Sequence, residues 1–585
     1  MRRTVAAVAL VSVFLSGIFS QGYSADEAIA YLAAMRCLGK KGEVYFKFSL
    51  NSASTIGSRS WIERLTRCIS IDNIKNDFVY AYANNKEFAS FLRFGFEYEV
   101  LPHPGDMPQN PKMAKTAAKL VTAWDAYPTY PAYVAMMDSF ALKYPDKCRI
   151  IQIGTSTAGR KLLYAKITAN VNQAAKKPRF MYSSSMHGDE TTMYVTMLRL
   201  IDYLLSNYAA NTYVKKLVDS IEIWICPLEN PDGTYRSGDN TVNGAVRYTN
   251  NNVDLNRHYP NFSAGRHPDG RTTYEPECQA VLNLLDTCQF VMSANFHGGS
   301  EVLNYPYDTR AAVHQDDAWM RYVYGKYRDT VHAINATYMT ALNNGITNGY
   351  AWYQIFGSRM DYITWSKFGR EVTIEASTVK LMTPSQLPNY WNWNYKSLLQ
   401  HIEQCLFGIN GTVVDSTTKT PLKAKVFVRT HDGDSSFTIS KLPFGDYYRP
   451  IYAGNYSVDY SCPGCQTKTV SNIQVQNDRA TAVNVELNCA TGIKALEGKN
   501  RDIGITVIPL ARGVKISFSG FCTEAAVYDI HGRLVKQFPL KGYTEFVWEE
   551  AGKKIANGCY IINVRLPVQA GQRDRLLTKG FIVAR

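Results

Sequence analysis

A chain of 585 residues is too long for a single hydrophobic core and implies three or more domains. With 46% hydrophobic and 19% charged residues and no long low-complexity tract, it is neither disordered nor fibrous. The formal net charge of +14 is spread along the whole chain, and no nucleic-acid-binding module is recognisable, so nucleic acid is not an expected partner.

From the N-terminus, Arg2 and Arg3 precede an uncharged, mostly apolar run from Val5 to Phe19, with small and polar residues following to Ala25. That order predicts a secretory signal peptide over residues 1–22. The run is short for a membrane span and no later stretch matches it without charges, so no transmembrane segment is expected. The mature protein is expected to be secreted or extracytoplasmic, the cell surface included. Twelve cysteines suit an oxidising compartment; Cys462 and Cys465 form a lone C-x-x-C, read as a structural disulfide or plain thiols.

Residues 40–102 read as a small α/β unit in the position of a propeptide. Strands are expected at Val44–Phe48, Phe78–Ala83 and Glu97–Leu101, and helices at Trp61–Cys68 and Lys86–Phe94. Pro102, Pro104, Pro108 and Pro111 then mark a linker. From 115 to 407, short apolar strands alternate with amphipathic helices, the pattern of a mixed sheet covered on both faces. Arg179–Ser184, Ile221–Pro227, Phe290–Phe296 and Val372–Glu375 are its buried-strand candidates, and Met193–Tyr208 is a helix. Two all-β sandwich modules are expected after Phe407, over 408–488 and 503–585.

Candidate chemistry concentrates where the central strands end. His187 and Glu190 follow the strand that closes near Ser184, and His297 closes another. In open α/β sheets ligands gather at such C-terminal edges. Two His and one Glu match the ligand set of a catalytic zinc site with a position left for water. Each residue taken singly reads equally as an ordinary polar group. Glu375 ends an apolar strand, where a buried carboxylate is either a general base or the partner of a core cation. Arg247 and Arg257 flank a polar loop; they are surface residues, or a carboxylate clamp and an oxyanion stabiliser.

With these residues in view, the chain resembles the zinc carboxypeptidases (the funnelin metallocarboxypeptidases) over roughly 120–485, and within them the regulatory subfamily of carboxypeptidases N, E, M and D. The motifs come in family order. Gly159-Arg160-Lys161, His187-Gly188-Asp189-Glu190, Asn230-Pro231-Asp232-Gly233 and Asp254-Leu255-Asn256-Arg257 are followed by Glu275-Pro276-Glu277, Phe296-His297-Gly298-Gly299, Asn304-Tyr305-Pro306-Tyr307-Asp308 and Glu371-Val372-Thr373-Ile374-Glu375.

The resemblance implies a mixed eight-stranded sheet flanked by helices and one zinc ion held by His187, Glu190 and His297. It implies Glu375 as general base, Arg247 as oxyanion stabiliser, Asn256 and Arg257 as binders of the substrate's terminal carboxylate, and Tyr353 as a mobile tyrosine that closes over substrate. Asp308, eleven residues after the third ligand, would select a C-terminal Lys or Arg, with Asn304 in the same pocket. One departure bears on that preference. Gly357-Ser358-Arg359-Met360 stands where the family commonly has Gly-Gly-Met-Gln, so Met360 replaces a polar residue and Arg359 would bring positive charge towards Asp308. The segment 408–488 resembles the transthyretin-like module of the subfamily, and 503–585 the C-terminal sorting modules of secreted bacterial enzymes, which a secretion system would recognise. The expected function is zinc-dependent hydrolysis at peptide and protein C-termini. The alternatives are trimming of cell-wall peptides or another amide hydrolysis on the same fold, and a non-catalytic cleft-binding or adhesion protein.

Overall fold

The computed structural model describes residues 24–50, 58–262, 271–433 and 435–489, and beyond these only strands between 505 and 583. The signal-peptide expectation lies outside the described residues. No described helix is long and apolar enough to cross a membrane.

The N-terminal unit begins earlier than the sequence indicates. Helix α1 (Ala25–Lys41) opens with a Ser24/Glu27 capping box and closes on Gly42 in the left-handed conformation. Then come β1 (Val44–Ser49), α2 (Ser58–Leu65), β2 (Ser70–Lys75), β3 (Phe78–Ala83), α3 (Asn85–Leu92) and β4 (Tyr98–Val100). The strands form an antiparallel sheet in the order β2-β3-β1-β4. Phe46, Phe48, Phe88 and Phe91 pack between sheet and helices as its core. Strand β2 is the element the sequence does not reveal.

The central domain is built on strands β5 (Cys148–Thr155), β6 (Lys161–Ile167), β7 (Arg179–Ser184), β8 (Glu222–Cys226), β9 (Met292–His297), β10 (Ser300–Tyr305), β11 (Ile346–Asn348) and β12 (Arg370–Ser377). They lie in the order β11-β10-β12-β9-β7-β8-β6-β5. The middle of the sheet, β12-β9-β7-β8, is parallel, with antiparallel pairs on both sides, so this is the mixed eight-stranded sheet expected. Helices α4 (Tyr130–Lys143), α5 (Thr192–Ser206) and α6 (Leu387–Glu403) contribute to the large core against one face, and α7 (Pro276–Thr287) packs in a second cluster with Trp224 and Phe290. The wide apolar runs of β7, β9 and β12 follow from burial on both faces.

Residues 408–489 fold as short strands in two small sheets around Ile409, Val426, Val458 and Tyr460. A disulfide joins Cys465 to Cys489 and Cys462 stays free, so the C-x-x-C does not pair within itself. The chain divides into two units, 1–490 and 491–585. In the second, strands Ile505–Pro509, Val514–Phe518 and Glu545–Trp548 make one sheet, and Glu524–Asp529, Leu534–Pro539, Gly558–Arg565 and Leu576–Val583 make another, both antiparallel.

Candidate active site

The parallel strands β7, β9 and β12 all end at one edge, and this is where the candidate residues meet. His297 is the last residue of β9 and stands in register with Glu375 on β12. His187 and Glu190 lie in the connection from β7 to α5. That connection presses against the Asn230–Gly233 turn so closely that a Cβ on Gly188 would sit 2.4 Å from the backbone of Gly233, so only glycine fits at 188.

His187 Nδ1 lies 3.0 Å from Glu190 Oε1, His297 Nδ1 lies 2.9 Å from Glu190 Oε2, and the two Nδ1 atoms are 2.9 Å apart. Tetrahedral zinc with bonds of ~2.0–2.1 Å sets neighbouring ligand atoms ~3.3 Å apart, so this buried triad fits the metal with small adjustments. His187 Nε2 is engaged by Asp254 Oδ1 at 3.0 Å, which leaves Nδ1 for the metal, the carboxylate–histidine arrangement that orients a ligand. Burial pushes His297 down to about 4, so its imidazole is neutral near pH 7, the form that ligates. Burial opposes ionisation of Glu190, but His187, Lys380 and His297 hold it well below the usual carboxylate range. A second cluster, Glu43, His103 and Asp189, is engaged by neighbouring groups except at Asp189 Oδ1, which has no partner among the described residues. His103 meets Glu43 at 2.8 Å, Glu43 also accepts the backbone N–H groups of Arg247 and Tyr248, and Tyr82 donates to Asp189.

Around the triad, one cavity of about 30 Å³ is lined by every candidate: His187, Glu190, His297, Glu375, Arg247, Asn256, Arg257, Tyr353, Asp308 and Asn304. Glu375 is pushed well above the carboxylate range by burial and by Glu190, and its Oε2 has no hydrogen-bond partner among the described residues. Arg247 is held by Asp254 at 3.0 Å and Glu190 at 3.2 Å. Asn256 accepts the Arg359 N–H through Oδ1, which fixes its amide orientation. At the far end Asn304 donates to Asp308 Oδ1 at 3.0 Å, and Asn304 Oδ1 is itself unpartnered.

Arg359 does not approach Asp308 as a counter-ion. Its guanidinium is fully buried on Glu229 at 2.7 Å and Glu371 at 2.9 Å, because two carboxylates beneath the sheet edge claim it. Met360 is buried and does not line the cavity.

Three residues at the site were not singled out from the sequence. Lys380 beyond β12 donates to Glu190 at 2.7 Å and to Asp72 at 2.6 Å. Asp72 comes from β2 of the N-terminal unit and also meets Arg247 at 3.4 Å. Asp254, quoted only as part of a motif, is the buried partner of both His187 and Arg247. Nothing in the local pattern marks Lys380 or Asp72; a single charged residue outside any motif reads as surface.

A family model described as zinc carboxypeptidase matches residues 133–397, and one described as carboxypeptidase regulatory-like domain matches 408–488. The chain is similar to carboxypeptidase D of Drosophila melanogaster, 30% identical over 69% of this chain and 30% of that protein. It is similar to carboxypeptidase D of Anas platyrhynchos, 35% identical over 62% of this chain and 26% of that one. It is also similar to carboxypeptidase M of Mus musculus, 32% identical over 56% of this chain and 76% of that protein. The chain thus spans less than a third of those carboxypeptidase D relatives. Among solved structures, carboxypeptidase A of Helicoverpa armigera matches with a TM-score of 0.46 and 15% identity, over 62% of this chain and 97% of that one.

Proposed function

The chain belongs to the zinc carboxypeptidase family, and on that premise we propose that it is an exported metallocarboxypeptidase that removes the last residue of peptides and proteins, preferring Lys or Arg. The observation that carries this reading is the convergence of ligand triad, unpartnered carboxylate, cations and an acceptor-lined floor on one cavity.

What zinc supplies when bound is Lewis-acid polarisation and a water acidic enough to deprotonate near neutral pH. Glu375, in register with His297, takes the proton of the attacking water and passes it to the leaving amine as the C–N bond breaks. Its raised proton affinity suits both halves of that task. Arg247 neutralises the negative charge that develops on the former carbonyl oxygen. Arg257 and Asn256 hold the substrate's terminal carboxylate, which restricts attack to the last bond. Asp308 and Asn304 receive the cationic end of a Lys or Arg side chain. With Arg359 spent on Glu229 and Glu371, the negative charge of Asp308 is not cancelled from that side.

The N-terminal unit, placed like a propeptide, keeps this site latent. Arg257 donates to the carbonyl of Ile71 at 2.8 Å, and the Tyr353 hydroxyl donates to the carbonyls of Ile71 and Asp72 at 3.4 and 3.3 Å. Asp72 occupies Arg247 and Lys380. Every group assigned to a peptide's C-terminus except Asn256 and the Asp308 floor thus already holds a piece of β2. The remaining cavity of about 30 Å³ has room for little more than ordered water, so a substrate's terminal residue needs the unit to move. The segment 1–22 serves export and the strands after 505 a sorting or anchoring step.

The test is release of C-terminal residues from peptides ending in Arg, Lys, Leu or Glu, by zinc-loaded protein before and after the chain is cut in the 102–115 linker. Chelator-sensitive release of Arg and Lys after cutting, absent in Glu375→Gln, supports the reading. Release of Leu or Glu in preference removes the basic specificity; no release in any form leaves the binding-protein alternative.

A further inference from the structure

Beneath the pocket floor lies a carboxylate that the proposed reaction does not use. Asp361 is buried in helix α8, here defined as Arg359–Ser366 between β11 and β12, whose N-cap is Ser358. An acidic residue three positions into a helix commonly reaches back to its own cap. Asp361 does not. Its Oδ1 accepts the backbone N–H of Asp308 and its Oδ2 that of Thr309, both at 2.9 Å. One side chain therefore grips two successive amides of the turn after β10, and no cation pairs with it among the described residues.

We propose that Asp361 is the positioning residue for basic-residue selectivity, acting by fixing the turn that carries Asp308. This rests on the reading of Asp308 as the pocket's anion. The pocket tolerates little displacement of that turn. A Cβ on Gly349 would lie 2.0 Å from Asp308 Oδ1 and 2.9 Å from Asn304 Oδ1, so both acceptors press against the same bare glycine. An unpartnered Asn304 oxygen and the Asp308 carboxylate converge there on the place a cationic group would fill. If the turn shifted by about 1 Å, Asp308 would lose Asn304 and a salt bridge formed in a buried pocket would weaken sharply. Keeping a buried carboxylate beside a second one is costly: burial and Asp308 push Asp361 up to about 7. A neutral amide has a single acceptor oxygen and so could not give each of the two N–H groups an oxygen of its own.

The experiment is a double-mutant cycle on the zinc-loaded protein in its active form, measuring kcat and KM for paired peptides ending in Arg and in Leu. Asp361→Asn is expected to lower the Arg/Leu ratio of kcat/KM by roughly 10-fold or more, mostly through KM for the Arg peptide. In an Asp308→Asn background the same substitution should leave the ratio unchanged, because the group it positions is gone. Asp361→Glu keeps both oxygens but shifts the turn, and should lower the ratio less; it decides the matter should the Asn variant not fold. Equal loss on Arg and Leu peptides, or additive effects in the cycle, would overturn the positioning role and leave a structural one. If Asp308→Asn alone does not change the ratio, the pocket assignment falls and this proposal with it.

Discussion

Two appendages pack on the central domain, and each is joined to it by buried charge. The β-module of residues 408–489 docks through Asp316. Its carboxylate takes Arg370 at 2.7 Å, Arg449 at 2.9 Å and His431 at 2.8 Å, and Asp432 pairs with Arg449 in turn. None of these groups lines the cleft. The N-terminal unit docks in part through groups that line the cleft, Arg247, Arg257 and Tyr353, with Lys380 beside them, and in part outside it, through Glu43 on the Tyr248 N–H and Tyr82 on Asp189. An interface made of groups that a substrate also needs is open to competition; one made of groups nothing else needs is permanent. Under the proposed function, the first appendage stabilises the central domain and the second keeps its cleft occupied.

That contrast can be broken from either side. Asp316→Ala strands two buried guanidinium groups and should cost about 3–5 kcal/mol of stability, read by calorimetry, with no gain of activity. If it raises activity instead, the β-module is also inhibitory. Acid should loosen the same seam. His314, whose Nδ1 accepts the Asp316 backbone N–H at 3.0 Å, is held down to about 3 by burial, against a usual value near 6.5, so its contribution is complete above pH 6.5 and is lost as pH falls towards 3, up to roughly 5 kcal/mol. A melting temperature flat from pH 7 to 4 would contradict this. Asp316, held well below the carboxylate range by Arg449 and Arg370 against its burial, adds nothing to that window.

On the other side, cutting the linker at its exposed Pro108–Asn110 stretch should raise the rate of peptide hydrolysis about 100-fold or more without lowering the melting point of the central domain. The smallest effect belongs to Asp72→Ala in the uncut chain. It removes one contact each of Lys380, which stays on Glu190, and of Arg247, but leaves the β2 backbone on Arg257 and Tyr353, so basal activity should rise about 10-fold or less. A full release from this one substitution would mean that the carboxylate alone does the blocking.

Much of the central domain could be read from sequence because its signals are local. β7, β9 and β12 are buried strands bounded by turns, and candidate residues lie at or near the end of each: His187 and Glu190 after β7, His297 closing β9 and Glu375 near the end of β12. His187, Glu190, His297, Glu375, Arg247 and Arg257 are marked by motif and position in the sequence, and they line one cavity. What escaped notice is polar structure whose reason lies across the fold. β2 reads Ser-Ile-Asp-Asn-Ile-Lys, with no apolar alternation, because it faces a charged cleft. Helix α1 starts at Ala25, just after the stretch that the sequence reads as an export signal, where no folded element is expected. Arg359 looked like a free charge near the pocket because its partners, Glu229 and Glu371, are distant in sequence. Asp361 carries no periodic signal at all; only its reach to the 308–309 amides gives it a role.

The most direct test of the account is mass-spectrometric reading of a peptide ending in Lys-Arg after incubation with the linker-cut, zinc-loaded protein and with its Glu375→Gln variant. The account predicts loss of single residues from the C-terminus, Arg first, suppressed by chelator and slowed at least about 100-fold in the variant. Internal cleavage, or removal that proceeds equally well without Glu375, would contradict it.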